Sequence, residues 1–190
     1  VLFRSLSEVT FTEQVRGLNN DMFDIGFAQS NQVGDGLLAE PVWFDPLVVV
    51  VPARHPLLSY RQVPLEEIVR YPLVLCDPQV CEGFWQQLQQ VLGAVDTRLT
   101  IAERVNTLDL MIALVSAGYG LGFSSLARIN ELNNPDVVAR QLEGCATMLT
   151  TYLVRREGEP AEQLARFIGR VSPAESQALK PDHASQKEIA

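Results

Sequence analysis

The chain has 190 residues, of which 47% are hydrophobic, and its 15 Lys+Arg against 23 Asp+Glu leave a net charge of −8. That excess of carboxylates excludes a nucleic-acid surface, which needs a basic patch to displace phosphate counterions. Two histidines are too few for a His-based metal centre, and three cysteines are too few for a disulfide framework, which points to a reducing cytoplasm. No apolar run approaches the ~20 residues of a membrane span, and the N-terminus lacks the order of regions that marks a signal peptide.

Val1-Leu2-Phe3-Arg4-Ser5 reads equally as a strand start and as the translated end of a sequencing adapter, so the native chain is expected to begin near Leu6. Thr10 to Asn20 reads as a helix, with Thr10-x-x-Glu13 as a capping box and Val15, Leu18 and Met22 on one face. Ile25 to Ala28 is a short apolar strand. Leu37 to Phe44 and Leu47 to Val51 form an extended region broken by Pro41 and Pro46. Pro64 suits the first position of a helix that turns Leu65, Ile68 and Val69 inward. Tyr71-Pro72 ends it, and Leu73 to Leu75 is the next strand.

Phe84, Leu88, Val91 and Leu92 mark a helical face with glutamines opposite. Leu99 to Val105 is a strand. Leu108, Met111, Ile112 and Val115 give one helical stripe, and Leu110, Leu114 and Ala117 give another, the pattern of a helix buried all round. Leu121 to Phe123, Val137 to Leu142 and Met148 to Arg155 are strands, and Ala161 to Val171 is a last amphipathic helix. From Pro173 onward the chain is polar and aperiodic, as expected of a disordered tail. Strands alternating with helices imply an α/β fold with mostly parallel sheets, and ligands in such folds sit at the carboxyl ends of the strands.

Three stretches carry a resemblance. The first is Glu8-x5-Gln14-x3-Leu18 followed by Phe23-Asp24-Ile25-Gly26-Phe27. The second is Leu47-Val48-Val49-Val50-Val51-Pro52-Ala53-Arg54-His55-Pro56-Leu57. The third is Thr107-Leu108-x5-Leu114-Val115-Ser116-Ala117-Gly118-Tyr119-Gly120-Leu121-Gly122. In this order and spacing, over residues 6–171, the chain resembles the effector-binding domain of LysR-type transcriptional regulators. The resemblance implies the type 2 periplasmic-binding-protein fold: two α/β subdomains joined by two crossover strands, with a small-molecule cleft between them. Subdomain I is expected over residues 1–47, subdomain II over 48–147, the return to subdomain I over 148–172, and the tail over 173–190.

The resemblance also implies that the first strand and helix of the domain, a winged helix-turn-helix and a linker helix are missing before Val1. The truncated piece alone is then expected to be unstable, with strand edges unpaired. Where the family has a glycine before its second motif strand this chain has Asp21, a residue type that also tolerates a left-handed turn.

The expected cleft is lined by four groups. Thr10, Phe11 and Thr12 start the first helix, offering hydroxyls and free N–H groups to an acidic ligand, although capping is the stronger reading of Thr10 and can coexist with ligand contact. Gln29 stands where relatives place a basic ligand contact. Pro78, Cys81, Gly83 and Phe84 lead from a strand into the glutamine-rich helix, expected across from Thr10–Thr12. Asn106 and Thr107 precede the third motif's helix, where capping is again a sufficient reading.

Cys76 and Cys81 invite comparison with the cysteine pair of peroxide-sensing members, but the spacing is shorter and Asp77 and Glu82 oppose thiolate formation. Cys145 sits in a Gly144-Cys145 turn. Gly118-Tyr119-Gly120-Leu121-Gly122 ends a helix and enters a strand, the reverse of a dinucleotide loop. No Gly-x-Ser-x-Gly elbow or His-based catalytic set is present, and the reading is of a non-enzyme without cofactor. The expected partners are a small-molecule effector, a second copy of the chain in a homodimer or tetramer, and DNA only through the missing N-terminal region. The rivals are a periplasmic solute-binding protein of a transporter and an enzyme on the same fold; an upstream signal peptide or helix-turn-helix would separate the first from the regulator.

Overall fold

The computed structural model describes residues 5–95, 98–144 and 147–171, so Val1–Arg4, the Cys145 turn and the expected tail lie outside the described residues. Thr10 opens the first helix, α1 (Phe11–Asn19), and the capping box is formed. The Thr10 hydroxyl accepts from the Glu13 N–H at 3.3 Å, and the Glu13 carboxylate accepts from the Thr10 N–H at 3.0 Å and hydroxyl at 2.8 Å. Asp21 takes the left-handed conformation expected of it, with φ of 58°. Its carboxylate pairs with Arg156, whose guanidinium also donates to the Leu18 carbonyl at 3.2 Å. That reversal carries Met22 off the helical face: it is 72% exposed, against the sequence reading, whereas Leu18 is fully buried.

After the short strand β1 (Ile25–Ala28) comes β2, one strand of 16 residues from Leu37 to Pro52. The prolines do not break it, contrary to the expectation from the sequence. Over residues 37–46 its named ladder is with one neighbour, and the register shift falls between Pro41 and Trp43. Proline is tolerated at an edge or bulge, because the N–H it lacks is not needed there.

A short helical turn (Pro56–Ser59) and β3 (Gln62–Val63) lead to α2 (Leu65–Ile68), which Pro64 caps rather than enters. Then come β4 (Leu73–Cys76), α3 (Glu82–Leu92), β5 (Ile101–Val105) and α4 (Leu108–Ser116). They are followed by β6 (Gly122–Ser125), α5 (Leu126–Leu132), β7 (Val137–Leu142) and β8 (Met148–Arg156). Helix α5 escaped the sequence reading because, with seven residues and Ile129 its one buried side chain, it has no period to detect.

The sheets are mixed, not mostly parallel. β1 pairs with β8, and β2 pairs with β8, β7 and β6, all antiparallel; β3–β7 and β4–β5 are parallel. Alternation of strand and helix reports only on strands joined by a helical crossover, as β4, α3 and β5 are. It is silent on β2 and β8, two long strands that run against each other. β2 pairs with β8 up to Pro46 and with β6 and β7 from Leu47 on, so it passes from one sheet into another. A parallel bridge between Leu73 and Leu121 ties the β4–β5 pair to the second sheet.

The uninterrupted valines of β2 record that passage. Val49 and Val51 belong to one core cluster and Val48 and Val50 to another, on opposite faces of the strand. Burial on both faces is what a continuous apolar run signifies. Helix α4 covers one of those faces with Met111, Ile112 and Val115. It is not buried all round, since Leu110 is 48% exposed and Ala113 and Ala117 face outward; one sheet beneath the helix accounts for one stripe.

The described residues divide into two units, one up to Glu159 and one from Pro160 on. In the second, α6 (Glu162–Val171) sets Leu164 and Ile168 one turn apart and carries a Glu162–Arg166 ion pair of 2.6 Å.

Candidate functional site

The carboxyl ends of β4 and β5 lie side by side, because the two strands are parallel and the Asp77 N–H donates to the Val105 carbonyl at 2.8 Å. This brings the turn that holds Pro78 and Cys81 next to Asn106 and Thr107. Asp77 shapes that turn: its carboxylate accepts from the Gln79 N–H at 2.8 Å, and its carbonyl accepts from the Cys81 N–H at 2.9 Å. Thr107 caps α4, its hydroxyl accepting from the Leu110 N–H at 3.2 Å, and Asn106 is exposed.

Gln29 sits just beyond β1 and meets the start of α3. A Cβ on Gly83 would fall 2.5 Å from the carbonyl carbon of Gln29 and 2.7 Å from the Ser30 nitrogen, so only glycine permits this approach. Phe84, next to it, packs into the larger core cluster. Gln29, Gly83 and Phe84 are therefore gathered at one seam, next to the turn with Pro78 and Cys81.

Thr10, Phe11 and Thr12 open α1, whose Gln14 amide donates to the Phe27 carbonyl of β1 at 3.1 Å. Phe11 packs with Leu18, Val33, Leu37 and Val154, and Thr12 is exposed. Among the described residues no hydrogen bond joins these three to the other groups. The Thr10 hydroxyl is already occupied both as donor and as acceptor. The Glu13 carboxyl, held below its usual range first by the Thr10 N–H and then by its hydroxyl, places a negative charge at this helix end.

Two cavities lie elsewhere. One, of about 460 Å³, is lined by Arg61, Gln62, Ala139, Arg140 and Gln141. The other, of about 300 Å³, is lined by residues that include Pro46, Leu47, Gln62, Leu142 and Met148. Neither touches an expected effector residue. At the seam α3 lies directly on the end of β1.

The residues that hold the two together are ones the sequence reading placed on the solvent side of α3. The Gln87 side-chain amide donates to the Gln29 carbonyl at 2.6 Å and to the Thr150 carbonyl at 2.8 Å, and its oxygen accepts from the Thr150 N–H at 2.8 Å. Gln86 accepts from the Ser30 hydroxyl at 3.0 Å. A signal was present: Gln87 is three residues after Phe84 and four before Val91, on the apolar stripe itself.

Asp77 opposes the Cys81 thiolate, as the sequence suggests, but is outweighed, and Glu82 is engaged in accepting from the Gln86 amide at 3.4 Å. The Cys76 thiol donates to Cys81, which lowers Cys81 to about 7 against the opposing effects of burial and of Asp77, with Arg128 of α5 adding to the lowering. Cys76 is correspondingly raised, by that same bond and by burial. Alkylation of Cys81 by iodoacetamide, followed by mass spectrometry of its peptide, should therefore rise with pH about a midpoint near 7. Cys76→Ala should move that midpoint upward toward an ordinary thiol; a midpoint unmoved by the substitution would dissolve the pair.

Comparison with known proteins converges on one family. The profile of the LysR substrate binding domain matches residues 5–173. The uncharacterized HTH-type transcriptional regulator YnfL of Escherichia coli (strain K12) is 27% identical over 114 residues, covering 60% of this chain and 38% of that protein. Among solved structures, full-length CbnR complexed with its target DNA has a TM-score of 0.75 at 20% identity, over 88% of this chain and 56% of that one. The effector binding domain of QuiR in complex with shikimate has a TM-score of 0.72 at 17% identity, over 86% and 76%. The chain spans roughly half the length of the curated relatives it matches, from 38% to 56%. Among the described residues no helix is long and apolar enough to cross a membrane. With its three motifs, its mixed sheets and a profile match over nearly its whole length, the chain belongs to the LysR substrate binding domain family.

Proposed function

We propose that this chain senses a small molecule with a polar or acidic head, held between two subdomains, one built on β1, β8 and the first part of β2 and the other on the second part of β2 with β3 to β7. The observation that carries the reading is the gathering of Gln29, Pro78, Cys81, Gly83, Asn106 and Thr107 at the carboxyl ends of β1, β4 and β5, beside the N-termini of α3 and α4. Strand ends and helix N-termini are where open α/β sheets take ligands, and free N–H groups there favour an anion. Thr10, Phe11 and Thr12 enter this proposal as a mouth of the site rather than its floor.

A second copy is the proposed partner. The exposed apolar residues of α4 and its end, Leu110, Ala113, Ala117 and Tyr119, support self-association. DNA contact belongs, in this reading, to a helix-turn-helix elsewhere in the protein and not to this acidic region, and the setting is the cytoplasm. The curated relatives are transcriptional regulators, which favours this reading over the solute-binding protein of a transporter.

The test is a thermal-shift screen of the full-length protein against aromatic and aliphatic carboxylic acids, shikimate among them, and amino acids. A true effector at a hundredfold over its Kd adds about 2.7 kcal/mol of stability. Gln29→Ala and Asn106→Ala, which remove side chains and leave the backbone bonds in place, should abolish that shift. A screen in which nothing shifts the melt, or a shift that both variants keep, overturns the assignment.

A further inference from the structure

The carboxamide of Gln87 does something a surface glutamine does not. β1 and β8 pair from Ile25↔Arg155 to Ala28↔Tyr152, and the ladder ends there because the chain leaves the sheet at Gln29. In an antiparallel pair the next rung would join Ser30 to Thr150 and satisfy both polar groups of Thr150. Ser30 is not on that rung. Its backbone nitrogen lies against Gly83, while its hydroxyl donates to Gln86 at 3.0 Å and accepts from the Gln32 N–H at 3.2 Å, and the residue is 3% exposed.

Gln87 fills the vacated rung. Its oxygen takes the Thr150 N–H and its nitrogen gives to the Thr150 carbonyl, both at 2.8 Å, the pair of bonds a strand residue would have supplied. Its remaining N–H goes to the Gln29 carbonyl at 2.6 Å, so both N–H groups and the oxygen of the amide are engaged. A glutamine has both a donor and an acceptor on a planar group, like the peptide unit it replaces. Leucine offers neither, and glutamate offers only acceptors unless it is protonated.

We propose that Gln87 is a positioning residue for the effector site: it stands in for the missing rung of the β1–β8 ladder and so fixes the start of α3, with Gly83 and Phe84, directly against Gln29 at the edge of the cleft. This rests on the sensing function proposed above. The two walls of the site are then held in register by one side chain of α3 and supported by its neighbour Gln86. An effector that enters between Gln29 and Gly83 has to displace this clasp, and one that binds beside it inherits a cleft whose width the clasp sets.

The experiment is hydrogen–deuterium exchange on the full-length protein without any ligand, read at the Thr150 amide as protection relative to the unfolded chain. Gln87→Leu, close in volume but without hydrogen bonds, should lower that protection about tenfold, the scale of one or two net hydrogen bonds. Gln87→Glu should lower it at neutral pH, where the carboxylate faces the carbonyls of Gln29 and Thr150. It should recover as the pH falls and the protonated carboxyl regains a donor. This pH-dependent recovery in a variant of native shape separates positioning from general misfolding, and it remains readable if Gln87→Leu fails to fold. Protection at Thr150 that is unchanged in both variants, or low in Gln87→Glu at every pH, overturns the proposal. A clasp that behaves as expected in a protein that no acid stabilises would sink the sensing function alone, and the converse pair of results would sink the clasp alone.

Discussion

Phe123→Ala is expected to be the most damaging single substitution in the second sheet, costing about 3–5 kcal/mol. Phe123 is 2% exposed, lies opposite Val49 in the β2–β6 ladder, and joins Leu73, Leu75 and Leu121 in the larger core cluster. Removing the ring takes away its transfer free energy and leaves a cavity that strands held on both sides cannot collapse into. Against a total stability of about 5–15 kcal/mol for a domain, the variant is at the margin of folding. Urea denaturation followed by circular dichroism should show a lower midpoint with an unchanged slope. A midpoint shift worth under about 1 kcal/mol would mean that the ring is not the packing centre described.

Gly83→Val should be the most damaging substitution at the site itself, and for a different reason. The new Cβ would fall 2.5 Å from the Gln29 carbonyl carbon, and because that atom is backbone, either α3 or the end of β1 must move. Overpacking of this kind costs about 1–3 kcal/mol, or several degrees of melting temperature for a chain of this size at about 2–4 °C per kcal/mol. It should also part Gln87 from Thr150, so the loss of stability and of Thr150 protection should appear together. Gly169→Ala is the control. A Cβ there meets nothing within 4 Å and the position is inside α6, so alanine is expected to be neutral or to stabilise by up to about 1 kcal/mol. A Gly83→Val protein that melts with the parent would show that the seam between Gln29 and α3 is loose.

The elements that could be read from the sequence are those whose determinants are local. Thr10 and Glu13 are three residues apart and form their capping box within one turn. Asp21 adopts its positive φ from the tolerance of its own side chain. The valines of β2 state by their lack of alternation that both faces are buried. The strand from Val137 to Leu142 is found where its pattern placed it. The three motifs, each carried by a contiguous stretch, led to the family and through it to the fold.

The misreadings share a cause, which is that the deciding partner is distant in the chain. Pro41 and Pro46 look like breaks until β8, about a hundred residues on, is seen to pair along one side of β2. Leu110 looks buried until one sees that a single sheet supports α4. Gln87 looks solvated until Thr150, 63 residues away, is found with no strand to complete its rung.

The charge balance, the caps, the apolar stripes and the motifs are properties of neighbouring residues, and the sequence by itself determined them: an acidic α/β chain of the LysR substrate binding domain family. Strand direction, the passage of β2 between sheets and the closure of α3 onto Gln29 depend on backbone groups that can be satisfied only by residues remote in sequence. Tertiary structure decided those, because a buried N–H or carbonyl takes whichever partner the fold brings to it, and a side-chain amide serves as well as a strand.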